Sequence, residues 1–317
     1  MNIEYQVLIA VALDLALGDP RWMPHPVKIM GRFAIMLEPA ARRTMPSARA
    51  AGIAAAAAVI GCSGLAAWAL VRLAGELHPW AADAMSIFLI YTSVAARDLA
   101  HHSAEVFRAL DAQDLELAKR RISWIVGRDT ENMKEEDVVR AAVESVAENT
   151  SDGVIAPLVY VFLFGPAGAI VYKAINTLDS TFGYKNERYI DFGWCSAKID
   201  DLANWAPARI TALLIAAAAL FMGMGPRRAI LITRRDGRLH ASPNSGLSEA
   251  AMAGALGVQL GGPVWRKGKL DPMPFMGDPV NPIERALIPK ANGLMLTATA
   301  FAVLAGIIFA KGIRGIS

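Results

Sequence analysis

The chain has 317 residues, of which 54% are apolar or aromatic and only 19% are charged. An average soluble domain carries about 25% charged residues, so this composition excludes disorder and argues against a wholly soluble protein. The formal net charge of +3 is too small to indicate a nucleic-acid-binding protein, and we expect no nucleic-acid partner. The two cysteines, Cys62 and Cys195, are too few for a disulfide framework.

Apolar runs recur along the whole chain. A helix needs about 20 apolar residues to cross the hydrocarbon core of a bilayer. Three runs reach this length, and three shorter ones are long enough if other parts of the protein bury them. In chain order the runs are 7–17, 50–71, 84–96, 153–172, 210–226 and 291–310. We therefore predict an all-α, polytopic membrane protein with about 4–6 apolar helical segments.

The run at 153–172 contains Gly165-Pro166 near its centre. Both residue types interrupt helices, and broken helices occur in membranes where they line a cavity walled by protein. Two alternatives stay open for 153–180: a membrane span or a re-entrant hairpin.

Four polar segments, 18–49, 97–153, 176–209 and 226–290, separate the apolar runs. Lysine and arginine favour the cytoplasmic side, which is where we place all of them except 176–209. The helical periodicity of 97–153 predicts amphipathic helices on that side. We treat 1–317 as a single integral membrane domain.

The densest acidic pattern is the four-residue spacing of Glu144, Glu148 and Asp152. On one continuous helix these carboxylates share a face and repel one another unless a cation neutralises them. Mg²⁺ takes one or two protein carboxylates together with phosphate oxygens. The pattern therefore predicts a magnesium site, with a solvated helix face as the alternative. Arg140, one turn earlier, is a candidate partner of Glu144.

Two polar motifs, 176–189 and 196–211, follow the 153–172 run. Carboxylate, amide and basic groups in this density are suited to holding a metal-bound phosphate. The second motif fits equally well as a capped entry into the helix that starts near residue 208. The candidate residues in the two motifs are Asp179, Tyr184, Lys185, Lys198, Asp200, Asp201, Asn204 and Arg209.

Ser242 and Asn244 lie in the turn-forming sequence SPNSG, 242–246. Hydroxyl, amide and backbone N–H groups at the start of a helix bind phosphate, although a turn needs no ligand. Arg128 and His25 lie in charged loops and are candidate ligand contacts, with a purely structural role as the alternative. The sequence contains no G-x-x-x-x-G-K-[ST] motif, so a site for ATP is not of the common phosphate-loop kind.

Six motifs, in the same order along the chain, together resemble the CobD/CbiB family of cobalamin biosynthesis, and the resemblance extends from about residue 7 to residue 280. They are DLALGDPRWMPHPVKIMGR (14–32), WIVGRDT (124–130), ESVAENTSDGVIAP (144–157), NTLDSTFGYKNERY (176–189), SAKIDDLANWAPARIT (196–211) and SPNSGLSEAAMAGALGVQLGG (242–262). Ser245 stands where the family usually has Ala, and Leu247-Ser248 replace a common Trp-Pro.

The resemblance implies an ATP-dependent adenosylcobinamide-phosphate synthase, a carbon–nitrogen ligase. Such an enzyme joins the carboxylate of adenosylcobyric acid to the amine of (R)-1-aminopropan-2-yl phosphate or ethanolamine phosphate. The resemblance also implies ATP and Mg²⁺ as cofactors and a place in the bacterial cytoplasmic (inner) membrane. There the protein would contact lipid and other membrane-bound enzymes of cobalamin assembly.

The resemblance also gives expected roles to the candidate residues. We expect catalysis, as base or through the metal, from Glu148, Asp152 and Asp179. The expected metal ligands are Glu144, Glu148 and Asp152. The expected substrate- and phosphate-binding residues are His25, Arg128, Asn149, Tyr184, Lys185, Lys198, Asp200, Asp201, Asn204, Arg209, Ser242 and Asn244.

Three other functions stay open at the level of sequence. An AmpE-like membrane signalling or sensor protein would share the broad architecture. Broken apolar segments with polar ends also occur in transporters, and a scaffold would bind the corrinoid without turning it over. The acidic and SPN motifs favour the enzyme, because a sensor does not need so many groups able to bind phosphate.

Overall fold

A computed structural model describes residues 1–20 and 22–314. In this part of the chain, the helices are α1 (Ile3–Leu17), α2 (Pro26–Thr44), α3 (Ala48–Leu77), α4 (Pro79–Tyr91), α5 (Ala96–Asp111), α6 (Leu115–Ile122), α7 (Glu135–Asn149), α8 (Ala156–Phe182), α9 (Trp194–Ala203), α10 (Trp205–Phe221), α11 (Pro226–Asp236), α12 (Ser245–Leu256) and α13 (Leu287–Arg314). A π-helical turn, Thr150–Ile155, connects α7 to α8. The short strands are β1 (Leu260–Gly261), β2 (Val264–Arg266), β3 (Lys269–Asp271) and β4 (Phe275–Met276). The predicted all-α class is confirmed, with these strands as a local addition.

Three helical stretches in the described residues are long and apolar enough to cross a membrane: Ala48–Leu77, Glu135–Phe182 and Leu287–Gly312. The pair α9 and α10, bent by 46° at their junction, makes a fourth if it is counted as one span. These stretches contain the longest of the predicted apolar runs, so that prediction is confirmed. Large apolar side chains stay exposed on them, as contact with lipid requires; examples are Leu65, Leu73 and Ile308.

The chain divides into two compact units, each made of segments that are separate in sequence. Unit 1 comprises Met1–Ala95, Ala156–Asn204 and the chain from Val303 onward, and unit 2 comprises Ala96–Ile155 and Trp205–Ala302. The prediction of a single domain over 1–317 stays a prediction.

In unit 1, helices α2, α4, α8 and α9 pack around α3. Small residues on α3 allow this close approach. The clearest case is Gly52, where a Cβ atom would overlap the backbone carbonyl of Phe192. The core contains alanines and larger side chains from several helices, among them Ala51, Ala55, Val59, Leu178 and Phe182.

Helix α8 turns back sharply at Gly165. Its φ of 70° and ψ of −167° interrupt the helix in a region that only glycine adopts easily. The rings of Tyr160 and Tyr172 lie 5.0 Å apart, although 12 residues of straight helix would separate them by about 18 Å. The Tyr160 carbonyl oxygen also lies 2.9 Å from where a Cβ at Gly168 would be. Two helical arms, 156–164 and 166–182, therefore face each other, and the structure favours the hairpin alternative for 153–180.

In unit 2, α12 is buried along its whole length, Ser245–Leu256, against α7, α10 and α11. Its alanines and glycines make this possible: a Cβ at Gly254 would come within 2.7 Å of the Ala229 Cα on α11. After α12, β1 pairs with β4, and β2 pairs with β3 in an antiparallel hairpin. This frame places one charged residue of α12, Glu249, inside the unit.

Candidate functional site

The predicted stripe of three carboxylates does not lie on one continuous α-helix. Glu144 and Glu148 belong to α7, but Asp152 lies beyond its end, in the π-helical turn. A π-helix has more residues per turn than an α-helix, so a spacing of four no longer keeps side chains in line. The suggested pairing of Arg140 with Glu144 was also wrong, because Arg140 Nη1 pairs with Asp137 at 3.0 Å.

Glu144 is buried and engaged through both carboxylate oxygens. Arg128 Nη2 donates a hydrogen bond of 2.5 Å to Oε2, and the Gly261 backbone N–H donates one of 2.6 Å to Oε1. Glu144 therefore ties the loop before α7 to strand β1. Because charge-assisted bonds of this kind are strong, neither oxygen is readily available to another ligand.

Glu249 is the only charged residue of α12, and its side chain is only 6% exposed. Within the described chain, no residue donates a hydrogen bond to it or forms an ion pair with it. Burial raises the pKa of this carboxyl well above its usual value, and the negative charges of Glu144 and Glu148 raise it further. The charges of Arg128 and Arg266 act in the opposite direction but do not cancel these effects.

Ser245 lies one turn before Glu249 on the same helix. Its Oγ donates a long hydrogen bond of 3.4 Å to Glu148 Oε1, and Glu148 itself is exposed. Helices α7 and α12 thus bring together three carboxylates, Glu144, Glu148 and Glu249, which we call the acidic cluster. Of the catalytic and metal-binding residues predicted from sequence, the structure places Glu144 and Glu148 in this cluster.

The donors of the acidic cluster do not form a ready-made metal site. Among the described residues, no three His, Cys, Asp or Glu side chains converge closely enough to hold a metal ion. The oxygens of Glu144 are occupied, whereas Glu148 has only the long bond from Ser245. Glu144 therefore fits a metal poorly in this arrangement, and the magnesium roles of Glu148 and Asp152 stay predictions.

A cavity of about 840 Å³ opens beside Arg128 in unit 2. Its size falls within the range of small-molecule sites. The residues that line it include two arginines, three acids and a tryptophan: Arg128, Arg140, Asp129, Glu131, Asp137 and Trp265. Sequence reasoning identified Arg128 as a candidate ligand contact, but considered Arg140 only as a partner of Glu144. Arg128 joins this cavity to the acidic cluster, because the same side chain holds Glu144.

Three other predicted ligand contacts in unit 2 have partners inside the fold. The Ser242 Oγ accepts long hydrogen bonds of 3.3 Å from the N–H groups of Asn244 and Ser245, and so supports the start of α12. The Asn149 amide donates to the Ser145 carbonyl at 2.9 Å. Arg209 donates to the Trp205 carbonyl at 2.6 Å. Their roles in ligand binding stay predictions.

A second polar centre lies in unit 1, beside the α8 hairpin. The Tyr172 hydroxyl donates to Asn204 Oδ1 at 2.8 Å, and Asn204 Nδ2 donates to Asp200 Oδ2 at 3.0 Å. Asn176 and Asp179 lie next to the same carboxyl group. The structure therefore brings together Asp179, expected to be catalytic, with Asp200 and Asn204, expected to bind substrate; these roles stay predictions. Tyr172 and Asn176 were not identified from sequence.

The remaining predicted residues of unit 1 lie outside that centre. His25 caps α2, accepting a hydrogen bond of 3.3 Å from the Val27 N–H at Nδ1, while its Nε2 lies 3.3 Å from Asp19 Oδ2. Lys198 pairs with Asp201 at 3.2 Å on the surface. Tyr184 and Lys185 are both exposed.

Sequence reasoning missed Glu249 because the carboxylates beside it, Glu144 and Glu148, lie more than 100 residues earlier in the chain. One local signal was present: a single glutamate stands within SGLSEAAMAGAL, a stretch small and apolar enough to be buried entirely. A charge in such a helix needs a partner or a ligand.

The long apolar helices, the hairpin and the buried charged centres define a helical protein of the membrane-spanning class with an internal polar site. The chain belongs to the CobD/CbiB family of cobalamin biosynthesis proteins. The family described as CobD/Cbib protein matches residues 7–295.

Individual relatives agree with this assignment over nearly their full length. The cobalamin biosynthesis protein CobD of Geobacter metallireducens is 50% identical over 298 residues, covering 94% of each chain. The CobD protein of Leptospira interrogans is 43% identical over 310 residues, covering 98% of each chain. The cobalamin biosynthesis protein CbiB of Salmonella typhimurium is 41% identical over 312 residues, also covering 98% of each. No solved structure matches the chain.

Proposed function

We propose that this protein is an adenosylcobinamide-phosphate synthase. It joins adenosylcobyric acid to (R)-1-aminopropan-2-yl phosphate, or to ethanolamine phosphate, in an ATP-dependent reaction. The observation that carries the proposal is the family match over residues 7–295, which includes every residue expected to act on substrate. Its relatives are named as cobalamin biosynthesis proteins.

The carboxylate of adenosylcobyric acid must be activated before an amine can attack it. A carboxylate is a poor electrophile, so transfer of the terminal phosphoryl group of ATP would give an acyl phosphate and ADP. The substrate ammonium first gives one proton to a base, and the free amine then attacks the acyl carbon. As the C–N bond forms, the acyl C–O bond breaks, phosphate leaves, and the nitrogen loses a second proton to the departing phosphate. When bound, Mg²⁺ neutralises charge on the ATP phosphates.

The residues of unit 2 suit these anionic substrates. Arg128 and Arg140 line the cavity, and their guanidinium groups would bind phosphate in exchange for their carboxylate partners, Glu144 and Asp137. In unit 1, Asp179 and Asp200 stay candidates for catalysis and phosphate handling.

We place the protein in the bacterial cytoplasmic membrane. The long apolar helices support a membrane location, and the lysine- and arginine-rich segments 18–49 and 226–290 support cytoplasmic exposure of the polar loops. Substrates made in the cytoplasm would reach the site from that side. Other membrane-bound enzymes of cobalamin assembly are the expected partners.

One assay tests the activity. The purified protein in detergent is mixed with adenosylcobyric acid, ATP, Mg²⁺ and aminopropanol phosphate, and the products are analysed by mass spectrometry. We expect adenosylcobinamide phosphate and stoichiometric ADP, and no product when ATP is omitted. Corrinoid binding without any product would contradict the enzyme and favour a scaffold. Uptake of corrinoid into vesicles without ligation would favour a transporter.

Two variants test the catalytic roles expected for Glu148 and Asp179. Glu148→Gln and Asp179→Asn keep size and shape but remove the charge, and each should lower kcat by about 100-fold or more if the carboxylate acts as a base. Glu116→Gln, an exposed change on α6, serves as the matched control. Full activity in either test variant would remove that residue from the mechanism.

A further inference from the structure

A chain of hydrogen bonds in unit 1 links a fully buried tyrosine to a carboxylate. The Tyr172 hydroxyl, on α8, donates to Asn204 Oδ1 at 2.8 Å, and Asn204 Nδ2 donates to Asp200 Oδ2 at 3.0 Å, one turn back along α9. Tyr172 is fully buried and Asn204 is 1% exposed, whereas Asp200 is half-buried. The hydrogen bonds therefore lead from the interior of unit 1 to Asp200.

Asn204 passes orientation along this chain because its amide has two different ends. A carboxylate only accepts hydrogen bonds, so the Nδ2 end faces Asp200 and the Oδ1 end faces a donor. Tyr172 is that donor, and it fixes which way the amide points. The side chains packed around Tyr172 are largely apolar, among them Ala156 and Ile175. Loss of the Tyr172 hydroxyl would therefore leave the Asn204 amide less firmly held.

The carboxylate at the end of the chain is only partly satisfied by the fold. The amide groups of Asn204 and Asn176 donate hydrogen bonds to it, and Asp179 adds a second negative charge beside it. The other oxygen, Asp200 Oδ1, is buried and has no hydrogen-bond partner among the described residues, none of which forms an ion pair with Asp200. Buried acceptors are rarely left open in native proteins, and a ligand that carries a donor would complete this one.

We propose that Tyr172 and Asn204 are positioning residues, which hold the Asp200 carboxylate so that it accepts a hydrogen bond from an N–H or O–H group of the substrate. This inference rests on the proposed function, because Asp200 is one of the residues expected to bind substrate. It adds Tyr172 to the site. It also changes the expected role of Asn204, which acts through Asp200 instead of touching the substrate itself.

A double-mutant cycle on kcat/KM tests whether Tyr172 acts through Asp200. Asp200→Asn keeps an oxygen for the two amide donors but places an NH2 group where Oδ1 was, so that a substrate donor meets another donor. This should lower kcat/KM by about 100-fold. Tyr172→Phe removes only the hydroxyl and should lower it by about tenfold. In Tyr172→Phe/Asp200→Asn the loss should equal that of Asp200→Asn alone, because a carboxylate that has been removed can no longer be misplaced.

Tyr160→Phe is the matched control. The Tyr160 ring lies 5.0 Å from the Tyr172 ring, and the Tyr160 hydroxyl donates to the Ala203 carbonyl at 3.1 Å. This variant loses a neighbouring tyrosine hydroxyl outside the hydrogen-bond chain and should keep the wild-type kcat/KM. Losses that multiply in the double variant would overturn the inference, as would full activity in Asp200→Asn. An equal loss in Tyr160→Phe and Tyr172→Phe would also overturn it, since it would indicate a general effect on packing.

A second measurement separates the inference from the proposed function. If the wild type forms no adenosylcobinamide phosphate, the synthase is lost, and infrared spectroscopy in detergent follows the Asp200 carboxyl band instead, assigned by its absence in Asp200→Asn. A band that shifts in Tyr172→Phe but not in Tyr160→Phe would preserve the control of Asp200 by Tyr172. An unchanged band in Tyr172→Phe would overturn it. If product forms while Tyr172→Phe alters neither the band nor kcat/KM, the synthase stands and the positioning role is lost.

Discussion

Glu38 shows how a buried carboxylate behaves when the fold does provide its partners. It lies on α2, only 3% exposed, and accepts hydrogen bonds from Arg42 Nε at 2.9 Å and from Arg188 Nη2 at 3.0 Å. Burial raises its pKa, but the hydrogen bonds and charges of the two arginines outweigh this and leave the pKa below its usual value. Glu249 differs in two ways: it lies deeper in the protein, and no arginine among the described residues donates a hydrogen bond to it.

Replacing Glu38 by Gln should destabilise unit 1 by roughly 2 kcal/mol at neutral pH, since hydrogen bonds to a charged group are lost to partly exposed arginines. A lowered pKa stabilises the fold above the ordinary carboxyl value of 4.5, and this contribution disappears as the pH falls through the folded-state pKa. The difference in Tm between wild type and variant should therefore shrink in acid. Glu76→Gln, an exposed change on α3, should leave Tm unchanged at both pH values.

Replacing Glu249 by Gln should have the opposite effect on stability. Because the pKa of Glu249 is raised in the folded state, its ionisation weakens the fold as the pH rises above the ordinary value of 4.5. The variant should therefore have a higher Tm than the wild type at neutral pH, with the difference vanishing near pH 4.5. An unchanged Tm at neutral pH would show that Glu249 carries no such penalty.

At the scale of elements, the α8 hairpin depends on two glycines for different reasons. Gly165→Ala should cost about 1–3 kcal/mol, because its backbone conformation is nearly restricted to glycine. Its Cβ would meet nothing within 4 Å, so the cost is conformational. Gly168→Ala should destabilise by crowding, since its Cβ would lie 2.5 Å from the Phe164 Cβ.

Thermal unfolding in detergent measures these effects, and Gly61→Ala in α3 is the matched control. A Cβ at Gly61 also meets nothing within 4 Å, and its helical backbone should gain roughly 0.5–1 kcal/mol from the alanine. A Gly165→Ala protein as stable as the Gly61→Ala control would contradict the sharp turn at residue 165.

The β2–β3 hairpin depends on a carboxylate from outside it. Asp129 accepts hydrogen bonds from the N–H groups of Lys267 at 2.9 Å and Gly268 at 2.7 Å, where the chain adopts φ values of 52° and 72°. Asp129→Ala should speed amide hydrogen exchange at 267–268 by about tenfold, the equivalent of a bond worth roughly 1.4 kcal/mol. Asp129→Asn retains one acceptor oxygen and should show a smaller effect. Equal exchange in all three proteins would mean that the turn is stable without this contact.

The elements that the sequence predicted well are those with a strong local signal. Runs such as 50–71 and 291–310 lie within α3 and α13, and the Gly165-Pro166 pair marks the turn in α8. Composition was enough to predict these helices, because a long apolar helix must either be buried in the protein or contact lipid.

The candidate site was predictable only in part, because its partners are distant in the sequence. Spacing alone suggested that Arg140 pairs with Glu144, but Arg128, in a loop, holds that carboxylate instead. Local spacing also gave no sign that a π-helical turn would displace Asp152 from the stripe. Pairings such as Glu148 with Ser245 depend on how α12 packs against α7, which a single sequence does not encode locally.

At the scale of the whole molecule, the chemical reactivity of Cys62 tests whether α3 crosses the membrane. It is exposed in the isolated chain and lies midway along α3. In sealed native membranes, with Cys195 replaced by Ser, it should resist a membrane-impermeant maleimide and react once the protein is denatured. A cysteine introduced at the exposed Ser123 should react at once when that face is accessible in inverted vesicles. Rapid labelling of Cys62 in sealed vesicles of both orientations would contradict a span at α3.

Because segments of the two units alternate along the chain, unit 1 is completed only late in synthesis. Unit 1 begins with residue 1 yet takes its last segment from Val303 onward, on α13, whose first half belongs to unit 2. At about 5–20 residues per second, the ribosome needs roughly 10–40 s to pass from Ala95 to Val303. During that interval the early helices of unit 1 exist without its last segment, which begins at Val303. We therefore expect lipid or the insertion machinery to cover the apolar faces of those helices until the segment after Val303 has been made.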